Sequence, residues 1–185
     1  RITCTETDPD VVRVAQRFFA AELDSNLAVH IQDARRFLER PRSSPLYDLI
    51  FIDASDGKGK FPARLNTIEF FAICKANMIG DGVLAFNLHD NDRQYFDKVA
   101  TLCAAFRFVS ILPVKGGHAS ILFASNGEFD PTRAIIRKAD ESDRIHGACC
   151  PLGEHARRLR TVHEIITCQS ALRSATILTD RRIRN

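Results

Sequence analysis

One stretch limits what this chain can fold into. Tyr47-Asp48-Leu49-Ile50-Phe51-Ile52 runs apolar from Leu49 to Ile52 without alternation, then ends at once in Asp53-Ala54-Ser55-Asp56 and the turn Gly57-Lys58-Gly59. An apolar strand that does not alternate suits a parallel sheet covered on both faces. Open α/β sheets bind ligands outside the carboxyl ends of their strands, so Asp53 and Asp56 would meet a ligand if this strand is parallel and central. Aspartate is also a common turn and cap residue, and that reading stays open at this point.

The flanking sequence supplies strands and helices in turn. Ile2 to Glu6 alternates as a short strand, and Asp8-Pro9-Asp10 opens a helix with Asp8 as N-cap and Pro9 at its first position. Val11, Val14, Ala15 and Phe18 recur at helical spacing and give that helix a face to lay on a sheet. Leu27 to Ile31 is the next strand, and Asp33 caps a short helix through Arg36, Phe37 and Leu38. After the central strand come a helix over residues 65–78, a turn at Gly80-Asp81-Gly82, a buried strand from Val83 to Leu88 and a helix from Asp92 to Phe106. Phe108 to Val114 and Ala119 to Ala124 form a hairpin across Lys115-Gly116-Gly117-His118. One helix follows Asp130-Pro131, another runs from Glu154 to about Cys168, and Ile177 to Asp180 is extended.

This alternation implies βαβ crossovers. The expected fold is α/β, a doubly wound, mostly parallel sheet with a C-terminal antiparallel hairpin strand. Residues 1–128 are expected to form a Rossmann-like nucleoside-binding domain, truncated at its N-terminus, and residues 129–185 a C-terminal helical cover of the same domain. No G-x-G-x-x-G precedes Glu6, because only five residues do. The start at Arg1, directly in a strand, gives the expectation that a first strand and its glycine-rich loop are missing.

Composition excludes several classes. With 185 residues, 45% hydrophobic and 26% charged, the chain is long enough for one well-packed domain and has the balance of a soluble globular protein. No run of eighteen apolar residues exists, so no membrane helix is expected. The net charge of +3 is too small to argue for nucleic acid. Residues 1–130 hold 15 Lys and Arg against 17 Asp and Glu, and residues 131–185 hold 11 against 6, so the basic surplus is C-terminal, at Arg157, Arg158, Arg160 and the Arg181-Arg182-Ile183-Arg184 tail. A solvated helix face and a charged end account for it. None of the six cysteines forms a C-x-x-C pair. Cys4, Cys74 and Cys103 stand in core-like contexts, and Cys149-Cys150 with His146 and His155 matches no usual zinc spacing. No metal is expected, and the compartment is expected to be reducing and cytoplasmic.

Three successive strands end in an acid: Glu6, Asp33 just past Ile31, and Asp53. In a doubly wound sheet such ends share a rim. An acid after the second strand holds the two hydroxyls of a ribose, because one carboxylate accepts both O–H bonds. An acid one strand further on can accept an N–H from an adenine amino group. Helix capping remains the competing explanation for each.

These residues resemble a family. Thr5-Glu6-Thr7-Asp8-Pro9-Asp10-Val11-Val12 resembles the second-strand motif of the spermidine synthases, polyamine aminopropyltransferases with a methyltransferase-type Rossmann domain. Gln32-Asp33-Ala34 is similar to their Asp-Gly or Asp-Ala motif, and Asp53-Ala54-Ser55-Asp56 to their Asp-Ser-Ser-Asp signature. Glu69-Phe70-Phe71, Gly80-Asp81-Gly82-Val83-Leu84 and Ile177-Leu178-Thr179-Asp180 match later segments in order.

The resemblance implies a fold of the S-adenosylmethionine-dependent methyltransferase kind. It also implies transfer of an aminopropyl group from decarboxylated S-adenosylmethionine to an amine, in polyamine biosynthesis. Carried over, Glu6 would hold the ribose, and Asp33 with Ala34 the adenine. Asp53, at the cofactor's edge, would bind and deprotonate the attacking amine, and Asp56 would anchor a cationic end of the substrate. Two features depart from the family: Gly57-Lys58-Gly59-Lys60 replaces its Gly-Pro turn, and Leu112-Pro113-Val114-Lys115-Gly116-Gly117 lacks its tyrosine. Lys58, Lys60 and Lys115 would suit an acidic protein partner better than a diamine. The alternatives are therefore an S-adenosylmethionine-dependent methyltransferase acting on a protein or small-molecule amine, and a non-catalytic assembly domain. The expected partners are a small-molecule or protein amine, with a homodimer open as an assembly; neither membrane nor nucleic acid is expected. A capping role is expected for Asp90 or Asp92, beside His89.

Overall fold

The computed structural model describes residues 1–40, 46–55, 61–116, 118–147, 149–162 and 170–184. Asp56, the turn from Gly57 to Lys60 and Cys168 lie outside the described residues. The chain forms two compact units, Arg1–Pro45 and Leu46–Asn185.

In the first unit, β1 (Ile2–Glu6) and β2 (Leu27–Ile31) pair in parallel, with Ile2 opposite Leu27 and Glu6 opposite Ile31. The crossover between them is α1 (Pro9–Phe18), whose start follows from local chemistry: Asp8 accepts from the Asp10 amide at 2.8 Å, and Pro9 opens the helix. A short helix, α2 (Ala34–Leu38), follows β2. Burial departs from expectation. Val11, Val14 and Phe18 of α1 are exposed, and so is Cys4 on β1. The apolar stripe of α1 stays open among the described residues.

The second unit has the sheet order β3-β4-β6-β5-β7, with β3 (Tyr47–Ile52), β4 (Met78–His89), β5 (Phe108–Pro113), β6 (Ala119–Ser125) and β7 (Arg160–Thr161). β3 and β4 are parallel; β6 runs antiparallel between β4 and β5. β3, β4 and β5 therefore share one direction, and β6 is the antiparallel strand of the expected hairpin.

The side chains of β4 alternate. Leu84, Phe86 and Leu88 face α3 (Ile68–Ala76) and α4 (Tyr95–Ala105), and each is at most 1% exposed. The rings of Phe61 and Phe71 meet Phe86 at 5.0 and 6.0 Å between centroids, edge to face. The opposite face carries α5 (Thr132–His146) and α6 (Leu152–Ala156), which with Val83, Leu112 and Phe123 line an open pocket of about 500 Å³. The expected division at 128/129 falls between β6 and α5, inside this unit.

Three expectations need correction. Leu49 and Phe51 were expected to be covered, yet they are 45% and 73% exposed, while Ile52 is buried. β3 is the last strand of its sheet, and α5 and α6 sit over β5 and β6, so one face of β3 is bare. Gly80-Asp81-Gly82 is not a turn between elements. It lies within β4, where the pairing slips from Tyr47–Met78 to Leu49–Val83. A Cβ on Gly82 would stand 3.1 Å from the Tyr47 carbonyl oxygen, a close approach that glycine permits. Lastly, the helix expected from Glu154 is broken. It stops as α6 at Ala156, Arg158 donates to the Pro113 carbonyl, and Arg160 and Thr161 pair with β5.

Of the other cysteines, Cys74 is buried and Cys103 half-buried, with burial pushing the Cys103 thiol up to about 11.

Phe86→Ala is expected to destabilise the second unit by about 3–5 kcal/mol. Phe51→Ala, at an exposed position, should change stability by about 0.5 kcal/mol or less. Urea unfolding followed by circular dichroism compares the two.

Candidate functional site

Asp53 is the first residue past β3, and it is exposed. The register pairs Ile52 with Phe86, which sets Asp53 beside Asn87 of β4. The Asn87 amide donates from Nδ2 to Asp53 Oδ1 at 3.0 Å. The second oxygen, Oδ2, meets no hydrogen-bond donor among the described residues. A carboxylate held at one oxygen and open at the other can accept a proton from, or orient, a cationic or amine ligand. Asp56, the expected partner of Asp53, lies outside the described residues.

Further polar side chains gather after β4. Ser120 Oγ donates to Asp90 Oδ1 at 2.8 Å. Tyr95 lies against the same pair, and its phenol is held above its usual value, first by burial and then by the Asp90 charge, with a Ser120 hydrogen bond opposing both. Asp92 accepts from the Gln94 amide at 2.8 Å and from Lys98 Nζ at 2.5 Å. Lys98 is 3% exposed while Asp92 is partly open to solvent, so this is a half-buried ion pair, and the ammonium also lies 5.3 Å from the centre of the Phe61 ring. The capping role expected of Asp90 or Asp92 is not taken by either: the N-cap position of α4 is Gln94, without a side-chain cap, while Asp92 holds the turn before it and Asp90 ties β4 to β6.

In the first unit, β1 and β2 end together: Glu6 is opposite Ile31, and the Gln32 amide donates to the Glu6 carbonyl at 2.8 Å. Glu6 Oε1 accepts from the Asp8 amide at 2.9 Å, closing the turn into α1, while Oε2 has no donor among the described residues. Asp33 accepts from the Arg36 amide at 3.0 Å and caps α2, with Ala34 as the first residue of that helix. Glu6 and Asp33 therefore end neighbouring strands, and each also holds its own turn. Among the described residues, no three His, Cys, Asp or Glu side chains come together as a metal site, and no helix is long and apolar enough to cross a membrane.

Lys115, expected beside the amine site, donates to Glu154 of α6 at 3.1 Å, and its hydrogen bond and charge hold the Glu154 carboxyl below its usual range. Two residues escaped the sequence reading. Asn87 is the one amide in the apolar strand Val83–Leu88 and sits near its carboxyl end, a signal that was there to be used. Lys98 gave none, because its partner lies six residues away, outside the helical i,i+4 spacing.

No family model matches the chain. A polyamine aminopropyltransferase of Prochlorococcus marinus is 30% identical over 156 residues, covering 76% of this chain and 54% of the relative. The chain is a homologue of the polyamine aminopropyltransferases. It spans about half the length of the curated aminopropyltransferases it matches. A second relative, an N-terminal histidine N-methyltransferase of Emericella nidulans, is 39% identical over 88 residues, 46% of this chain and 15% of that protein. Among solved structures, a probable spermidine synthase from Corynebacterium glutamicum aligns at a TM-score of 0.69 and 22% identity, over 96% of this chain and 63% of that one. Human methyltransferase-like protein 13, in complex with SAH, aligns at 0.63 and 22%, over 97% and 74%. The fold this homologue shares with both is the methyltransferase-like Rossmann fold, as the family resemblance implied.

Asp33 separates capping from ligand contact. Asp33→Ala should cost about 1 kcal/mol through loss of the α2 cap, whereas Asp33→Asn keeps a capping oxygen and should stay within a few tenths. Loss of nucleoside binding in Asp33→Asn, read by isothermal titration on the full-length protein, would assign the carboxylate to the ligand; unchanged binding would leave it a cap.

Proposed function

We propose that the protein is a spermidine synthase-like transferase, moving an aminopropyl group from decarboxylated S-adenosylmethionine to an amine. The observation that carries this reading is Asp53: a carboxylate at the end of a parallel strand, with one oxygen held by Asn87 and the other open. The aminopropyltransferase relatives support it, as does the order in which the acidic strand ends occur.

Glu6 suits a ribose, since its Oε2 is open at the end of β1 and can accept from hydroxyls. Asp33 would face the adenine amino group from the next strand end, and Ala34 would leave room for the base. When bound, the co-substrate supplies an electrophilic methylene on a sulfonium. The protein's own part is to present an unprotonated amine to it in line. Asp53 would orient the amine, and as the new C–N bond forms and the C–S bond breaks it would take the amine's proton on Oδ2. Asp56, three residues on, would hold a second cationic group of the acceptor. A cytoplasmic location and a role in polyamine synthesis go with this reading.

A methyltransferase reading is favoured by the histidine N-methyltransferase relative, which matches at higher identity over a shorter span. On that reading the same carboxylate serves a protein or small-molecule amine. Lys115 lends no support to an acidic protein acceptor, because it is paired with Glu154.

Thermal-shift measurements on the full-length protein separate the readings. Stabilisation by decarboxylated S-adenosylmethionine over the carboxylated form supports aminopropyl transfer, the reverse order supports methyl transfer, and no response to either or to methylthioadenosine rejects both. Asp53→Asn should lower transfer by about 10²–10⁴-fold, the usual scale of a general base, with nucleoside affinity nearly unchanged. Wild-type activity in that variant would remove Asp53 from the mechanism.

A further inference from the structure

The turn between α5 and α6 carries Cys149 and Cys150, which the transfer chemistry at Asp53 leaves unused, and both thiols are exposed. The turn is pinned from both helices. Asp143 of α5 accepts from the amides of Leu152 and Gly153, the first two residues of α6, at 2.9 and 2.8 Å. Asp140 of α5 accepts from Arg157 Nη1 and Nη2 at 2.8 and 2.6 Å. A Cβ on Gly153 would collide with Asp140 Oδ1, so this close approach requires glycine. Side chains on a turn held in this way are positioned before any ligand arrives.

Cys150 is set against His155 of α6, with Sγ 3.4 Å from Nε2. Cys149, next to it, has no such partner among the described residues. A thiol within hydrogen-bond reach of an imidazole is the pairing that a nucleophilic cysteine needs, because the ring can take the proton that the sulfur must lose. His155 has a second neighbour. With Leu152 and Ala156 of α6, Ala139 of α5, and Leu112 and Phe123 of the sheet, it lines the open pocket of about 500 Å³ between helices and sheet. That size is usual for a small-molecule site. Lys138, the fixed cation among the described lining, is paired with Asp130 Oδ2 at 2.5 Å. A free carboxylate therefore finds no open counter-charge there, whereas an uncharged apolar chain needs none.

We propose that Cys150 is a nucleophilic thiol, with His155 as its base, that takes an apolar acyl group from an acyl thioester and lays the chain in this pocket. Cys150 gives its proton to His155 Nε2, and its sulfur attacks the carbonyl carbon of the thioester. A new C–S bond forms, the C–S bond to the departing thiol breaks, and the proton on Nε2 passes to the sulfur that leaves. One thioester replaces another, so no oxidation state changes. The step uses none of the residues of the transferase reading and does not rest on it.

The test incubates the full-length protein with octanoyl-coenzyme A or acetyl-coenzyme A and locates hydroxylamine-labile acyl groups by peptide mass spectrometry. Octanoylation should reach Cys150 at least about tenfold faster than Cys149, which has no base beside it. Acetylation of Cys150 should run at least about tenfold slower than octanoylation, since each methylene that the pocket buries adds up to about fourfold to binding. His155→Gln should slow octanoylation about 10²-fold, at the lower end of what a positioned base supplies. Ala139→Phe, which fills the pocket from α5, should slow octanoylation about tenfold and leave acetylation of Cys150 within about twofold, a split that general loss of structure would not give. Equal labelling of Cys149 and Cys150, equal rates for the two acyl groups, or an unchanged rate in His155→Gln would each overturn the proposal. So would the absence of labelling from both donors. Should Ala139→Phe not fold, the comparison of the two acyl groups on the wild-type protein decides the pocket by itself.

Discussion

β4 is paired along both edges, by β3 on one side and β6 on the other, and its Leu84, Phe86 and Leu88 are shut away from water. The rest of the second unit takes its position from this strand. Because side chains alternate, a strand locked by Phe86 must send Asn87 the other way, and at the carboxyl end that direction meets Asp53. The direction of the amide is thus set by the packing of its neighbours in the strand. A carboxylate at the tip of an exposed edge strand would otherwise have wide freedom; one hydrogen bond from a rigid neighbour removes much of it.

The first unit follows a different logic. The two acids at its strand ends are needed locally, Glu6 to close the turn into α1 and Asp33 to start α2. Neither duty uses up a carboxylate, which has about four acceptor positions. A residue that shapes its own turn is already aimed when a ligand arrives, so the capping and ligand readings do not exclude each other. The cost falls on mutagenesis, where removing the side chain perturbs both roles and only a substitution that keeps the oxygen separates them.

What could be read from the residues was mainly what is decided locally. Asp8-Pro9 and Asp33 announced their helices because a cap acts over three residues, and the hairpin was visible because its two strands flank one short turn. What failed depended on distant partners. Periodicity shows that Leu49 and Phe51 are apolar, but it does not reveal that β3 ends its sheet. The glycines at 80 and 82 look like a turn until the slip against Tyr47 and Leu49 shows them inside a strand. Arg160 and Thr161 leave a helical pattern because β5, some fifty residues back, has an edge to offer them. In the site, Asp53 was legible from its place after an apolar run, whereas the Lys98–Asp92 pair was not, since burial alone makes it matter.

The bare side of β3 has a consequence for handling the protein. Its outer edge offers a row of backbone donors and acceptors with no strand partner among the described residues, and Phe51 stands out beside it at the sheet's margin. Such an edge is a template on which another extended chain can add itself, and an exposed aromatic makes the match more adhesive. Concentrating these 185 residues by themselves therefore favours strand-to-strand association, which would shield the very end of β3 from which Asp53 projects.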